Sequence, residues 1–218
     1  MRSIFLVLLY PAMILALYCA FILAPREAEM GEVQRIFYFH IAAAWLCMLA
    51  FFVLFVFSII YLATGVRAYD RWASSSAEIG VIFSTLVLIT GPLWAKPVWN
   101  TWWTWDPRLT TFLILWLIYV AYLLLRANMA ESDKKYKVSA VFGILGFIDV
   151  PIVFMSIRWW RTIHPVVITS GSMNLDPDMK TAMFVALAAF TLFYAALLHL
   201  RVQQKRLDYE VSIGLVSA

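Results

Sequence analysis

The chain has 218 residues, of which 64% are hydrophobic and 14% charged, with a formal net charge of +4. That balance excludes an ordinary soluble domain and marks an integral membrane protein. The basic excess is accounted for by short loops, and no run in it indicates nucleic acid as a partner, whereas membrane lipid is one by composition.

A spanning helix needs roughly 20 apolar residues at a rise of about 1.5 Å each. Six runs qualify: Ser3 to Ala24, Phe39 to Ala63, Ala73 to Leu93, Leu109 to Leu125, Val138 to Ile157 and Thr181 to Leu200. The predicted fold is all-α, one domain over residues 1–218, a bundle of six transmembrane helices with a tryptophan-rich outer loop. The first run follows only Met1 and Arg2, and its length without a small-residue cleavage site predicts a retained anchor. Six spans put both termini on one side. Arg2, Arg67, Arg71, Arg126, Lys134, Lys135, Lys137, Arg201, Lys205 and Arg206 fall on that side, ten of the 17 basic residues. The positive-inside rule therefore predicts cytoplasmic termini.

After the first run, Arg26 to Phe39 reads as an amphipathic lead into the second, with Met30, Val33, Phe37 and His40 at helical spacing. His40 is followed one turn later by Ala42, Ala43 and Ala44, which leave the helix surface bare. A close helix contact beside a satisfied histidine explains this pattern; so does an imidazole beside open space for a flat ring. Cys19 and Cys47 lie within apolar runs and are expected as packed thiols. Glu78 is expected to snorkel to the inner surface. Gly91 and Pro92 are expected to end the third helix, with Pro97 keeping the next stretch bent.

That stretch, Trp94 to Thr110, reads WAKPVWNTWWTWDPRLT. It holds Trp94, Trp99, Trp102, Trp103 and Trp105, half of the ten tryptophans. An aromatic belt spreads over both membrane faces and many helix ends, whereas a platform for a large planar ligand gathers its indoles in one connection. Asp106 before Pro107 has the residue types of an N-cap and first helical position. Asp149 lies inside the fifth run two residues before Pro151, so a kink and a polar partner are expected there. The following loop repeats the same mixture on a smaller scale, with Arg158, Trp159, Trp160, Arg161 and His164. His199, at the other end, is read as an interface residue.

The outer loops thus collect two histidines, seven tryptophans and the cations Lys96, Arg108, Arg158 and Arg161. Haem suits this inventory: iron takes axial imidazoles, the porphyrin plane takes aromatic surface, and propionates take Arg or Lys. Two histidines and no loop cysteine fit a structural zinc site poorly. There is no Cys-x-x-Cys-His for covalent haem attachment and no Gly-x-x-x-x-Gly-Lys-Ser/Thr loop, so any nucleotide-driven step belongs to a partner.

On these residues a resemblance can be stated. WNTWWTWDPRLT is similar to the signature of the WWD haem-handling proteins of cytochrome c maturation, and FYFHIAAAW, RWWRTIH and the six spans resemble the haem exporter protein C (CcmC) family. The resemblance implies that residues 94–110 form a WWD segment binding haem b, with His40 and His164 as axial ligands of the iron. It places Trp94, Trp99, Trp102, Trp103, Trp105, Asp106, Arg108 and Arg161 around the ring. It further implies an ATPase CcmA, membrane subunits CcmB and CcmD, and a periplasmic haem chaperone CcmE that receives haem at the outer face of a bacterial inner membrane, or of the mitochondrial one. Asn100 departs from a glycine of the family pattern and Pro107 from a small residue. A haem-translocating transporter subunit and a minimal WWD-type haem lyase are the alternatives.

Overall fold

A computed structural model describes residues 2–162, 173 and 175–215, with side chains from residue 7 onward. Helix α1, Arg2–Tyr18, runs on through a π-helical segment, Cys19–Leu23. A 3-10 turn at Glu32–Arg35 leads into α2, Ile36–Thr64. Helix α3 covers Arg67–Trp99, α4 Pro107–Asn128, α5 Asp133–Gly146, α6 Asp149–Trp159 and α7 Pro177–Ser212. Among the described residues there is no strand beyond an isolated bridge between Glu27 and Gly31.

Among the described residues five stretches are long and apolar enough to cross a membrane: Glu32–Thr64, Arg67–Trp99, Pro107–Asn128, Asp133–Trp159 and Pro177–Ser212. A shorter apolar helix, Val7–Leu23, is the sixth. All six predicted runs are therefore helical, and the protein is an all-α multi-span membrane protein. These helices are apolar almost all round because lipid and protein core make the same demand of a side chain.

Helix α2 lies at the centre. Its Leu46, Cys47, Ala50, Phe51 and Leu54 pack with Ala77 and Phe83 of α3, Leu115, Tyr119 and Tyr122 of α4, Val153 of α6 and Tyr194 of α7. A smaller cluster joins Ala20 and Ala24, Ala42 of α2 and Ala182 and Ala186 of α7, small residues that let backbones approach closely. Cys19 and Cys47 are both buried free thiols, as expected. The polar groups of the core tie helices together: Tyr194 meets Ser76 at 2.7 Å, and Ser76 donates to the Ala50 carbonyl at 2.6 Å.

Gly80 of α3 packs directly against α2. A Cβ added there would stand 2.5 Å from Cε1 of Phe51 and 3.2 Å from Cβ of Ala50. The Phe51 ring cannot yield, because it is stacked on Tyr119 at 3.8 Å between centroids. Gly80→Ala is therefore expected to lose about 1–3 kcal/mol to overpacking despite its better helix propensity, read as a lower unfolding midpoint in detergent.

Four local expectations are corrected. The lead into α2 is not one amphipathic helix: Met30 lies outside it, in a turn where the Glu27 carboxylate accepts from the Glu29 and Met30 amides. Arg35 reaches back to the Ala20 and Ala24 carbonyls at 2.5 and 3.3 Å, satisfying oxygens left at the C-terminal end of the first helix. Helix α3 does not stop at Gly91 and Pro92 but contains both Pro92 and Pro97 and ends at Trp99. Each proline removes one amide donor, a loss that membrane helices absorb through their neighbours. Glu78 does not snorkel alone; it pairs with Arg201 at 2.6 Å and Lys205 at 2.9 Å, both on α7. The break expected near Asp149 is present at Phe147–Ile148, between α5 and α6, yet Asp149 Oδ2 is buried with no hydrogen-bond partner among the described residues.

Candidate functional site

The ends of the helices sort the chain's chemistry. At one end the turn before α2, the end of α3, the start of α4 and the residues just after α6 come together, the last two joined by the bond from Thr162 to Asp106. At the other, α3, α4, α5 and α7 are laced by ion pairs: Asp70 with Arg126, Arg67 with Asp133, and Glu78 with Arg201 and Lys205.

A cleft opens at the first of these ends between α2, α3 and α4. Its wall contains His40 and Ala44 of α2, Gly91, Trp94 and Trp99 of α3, Trp102, Trp103 and Thr104 of the connection, and Arg108 of α4. Ala44 follows His40 by one turn and so leaves room beside the imidazole. Ala42 and Ala43 serve packing instead and are buried in the two core clusters.

Because α3 continues to Trp99, Trp94 and Trp99 project from a helix and the irregular connection shrinks to residues 100–106. Asn100 ends the helix with φ 54° and ψ 23°, a left-handed conformation that Asn tolerates better than most residues. A left-handed helix end of this kind suits Asn or Gly. Lys96 folds over the same end, donating to the Asn100 carbonyl at 3.1 Å and to its Oδ1 at 2.8 Å, and lies 5.9 Å from the Trp102 ring centroid.

The indoles are arranged as facets. Trp94, 5% exposed, lies 28° from the His40 ring plane with centroids 6.4 Å apart, and meets Trp99 edge-on at 5.8 Å. Trp103 and Trp105 make a second edge-on pair at 5.9 Å. Trp102 and Trp105 are exposed, the latter 76%, so the outer rim of the platform is bare indole. Trp105 itself is not part of the cleft wall.

Asp106 is the N-cap of α4, accepting from the Arg108 amide at 2.8 Å, with Pro107 in the first helical position. The same oxygen accepts from the Thr162 hydroxyl at 2.8 Å. Arg108 faces the cleft and donates from Nη1 to the Val153 carbonyl of α6 at 2.7 Å, which leaves other donors of its guanidinium for a ligand. Arg161 is exposed and outside the cleft wall. His164 lies outside the described residues.

Chemically, the wall offers aromatic faces and, among the described residues, one imidazole, one guanidinium and no carboxylate. Two polar atoms in it, Trp94 Nε1 and Thr104 Oγ1, are buried without a hydrogen-bond partner among the described residues. Sequence reasoning missed Thr90, whose hydroxyl lies 2.8 Å from His40 Nδ1. It also missed Thr104 and the bond from Thr162 to Asp106; in the sequence these are ordinary threonines.

The family model described as haem exporter protein C matches residues 1–216. The chain belongs to that family. A Bradyrhizobium diazoefficiens protein of the name haem exporter protein C is 37% identical over 180 residues, covering 80% of this chain and 67% of the relative. An Escherichia coli protein of the same name is 30% identical over 180 residues, covering 83% and 73%. A Marchantia polymorpha protein, named as a ccmC-like mitochondrial protein of cytochrome c biosynthesis, is 34% identical over 177 residues, covering 81% and 75%. Membership in the haem exporter protein C family accords with the resemblance drawn from WNTWWTWDPRLT and FYFHIAAAW.

Proposed function

We propose that this protein is a haem-handling membrane subunit of cytochrome c biogenesis, and that residues 94–110 with His40 and His164 hold haem b for delivery at the outer face of the bundle. The single observation that carries the reading is the cleft itself, where His40 and the indoles of Trp94, Trp99, Trp102 and Trp103 meet beside one cation and no acid. Such a wall favours a flat apolar ligand bearing negative charge, which a haem with its propionates is.

Within that reading the residues divide by chemistry. His40 of α2 and His164 of the connection before α7 are the residues that would hold the iron, each through an imidazole nitrogen. What supports His164 is that Thr162, two residues earlier, is bonded to Asp106 at the start of α4. Arg108 would meet a propionate, as would the Trp94 N–H and the Thr104 hydroxyl, whose burial without partners among the described residues costs about 1–3 kcal/mol each until a ligand satisfies them. Trp103, Trp105 and Arg161 would add aromatic surface and a second cation around the ring. Exposure of Trp102 and Trp105 suits hand-over, since an acceptor can reach the haem edge without the bundle opening.

The partners follow from the same reading. The periplasmic chaperone CcmE takes the haem, the ATPase CcmA supplies the energy of release, and CcmB and CcmD complete the complex. The membrane is the bacterial inner membrane with both termini cytoplasmic, in accord with the basic residues gathered at the terminal end. The test is an absorption spectrum of protein purified from haem-replete membranes, for wild type and His164→Ala. The expected result is a low-spin, two-histidine spectrum in wild type that is lost in the variant. Wild-type protein without haem overturns the proposal.

A further inference from the structure

Thr90 of α3 lies four residues before Trp94 and one before Gly91, on the turn that faces His40. Its hydroxyl makes two contacts: 2.7 Å to the Leu86 carbonyl one turn back, and 2.8 Å to His40 Nδ1. A hydroxyl has one proton, and a carbonyl oxygen can only accept. With that proton in the bond to Leu86, the Thr90 oxygen accepts from His40 and Nδ1 carries the hydrogen. In a neutral imidazole this leaves the lone pair on Nε2, on the side of the ring away from the bond to Thr90.

The rest of the same turn flanks the ring without bonding it. Trp94 lies beside its face, with the planes 28° apart and the centroids separated by 6.4 Å, and Gly91 leaves the Cε1 edge uncovered, where a Cβ would come to 3.5 Å. Thr90 is the residue of this turn that bonds the imidazole, at Nδ1.

We infer that Thr90 is the positioning residue of the haem site: it fixes the His40 tautomer so that Nε2 presents its lone pair to iron, and by accepting the Nδ1 hydrogen it makes that nitrogen a stronger donor. The inference rests on the proposed haem reading for its consequence, but the tautomer itself does not. An acceptor behind a ligating histidine sets both its orientation and its basicity, and removing one costs metal affinity by about 10–100-fold in other sites.

The experiment uses Thr90→Val, which keeps the shape and removes the acceptor, and Thr90→Ser, which keeps the acceptor. In protein without haem, nitrogen-15 spectra of labelled histidine distinguish a protonated from an unprotonated ring nitrogen, and His40→Ala identifies the His40 signals. Wild type and Thr90→Ser are expected to show Nδ1 protonated, and Thr90→Val to shift toward the Nε2-protonated form. Titration with haemin is expected to show affinity about 10–100-fold weaker in Thr90→Val, with Thr90→Ser restored to wild type. Restoration by serine separates loss of the acceptor from loss of fold. If Thr90→Val keeps both the Nδ1 proton and wild-type haemin affinity, the inference is overturned while the haem reading stands. If wild type binds no haemin, the haem reading falls, and the nitrogen spectra still decide the tautomer.

Discussion

His40→Ala is expected to abolish stable haem binding while leaving the helix bundle folded. The fold should survive because the imidazole is only partly buried and makes one hydrogen bond, to Thr90. Losing that bond costs about 0.5–1.5 kcal/mol, and Thr90 keeps its other partner, the Leu86 carbonyl. Among the described residues the cleft holds no second imidazole and no thiol that could replace the ligand. Affinity for haemin should therefore fall by more than the roughly 10–100-fold expected for losing a group behind the ligand. The indoles, Arg108 and the apolar wall remain, so weak binding with an altered, high-spin spectrum is the expected residue of activity. Added imidazole should restore part of the low-spin spectrum by entering the vacated volume beside Ala44 and Gly91. A low-spin spectrum and wild-type haemin affinity in His40→Ala, with the bundle intact by gel filtration, would remove His40 from the iron.

What the sequence showed and what it hid follow one physical division. Crossing a bilayer requires a long apolar run in a single segment, so all six helices could be read from local composition. The cap at Asp106 and Pro107 is also local, and so is the space at Ala44, because positions 40 and 44 share a helix face. The path of α3 through Pro92 and Pro97 could not be read this way. A proline's missing donor is visible in sequence, while the surroundings that make its loss tolerable are not. Pairings between distant positions were hidden for the same reason: Glu78 meets Arg201 across 123 positions and Thr90 meets His40 across 50. The site was legible as an inventory of residue types. Its geometry, with Trp94 and Trp99 on a helix and Arg161 away from the wall, belongs to the packing.

The largest stability effect is expected at the opposite end from the cleft, in Arg126→Leu. Asp70 of α3 and Arg126 of α4 form two parallel bonds of 2.7 and 2.9 Å, with side-chain exposures of 6% and 14%. The guanidinium also lies 5.8 Å from the Tyr122 ring centroid and 5.6 Å from that of Tyr136. A bidentate pair in this setting offsets the cost of taking two charges out of water, and neither partner can be removed alone without stranding the other. The nearby cation Arg67 is engaged with Asp133 and stacked over Tyr136 at 3.2 Å, so it is not free to take over Asp70. Removing Arg126 should therefore cost about 3–5 kcal/mol, on the order of 10 °C in the unfolding midpoint of a chain this size. The companion variant decides the cause. Asp70→Leu together with Arg126→Leu removes both charges and should recover most of the loss, since apolar pairs often replace buried ion pairs at little cost. Haem bound by the folded fraction should keep its spectrum in both variants, because the pair lies at the far end of α3 and α4 from His40. A double variant as unstable as Arg126→Leu alone would show that the arginine acts through the tyrosine rings and not through its charge partner.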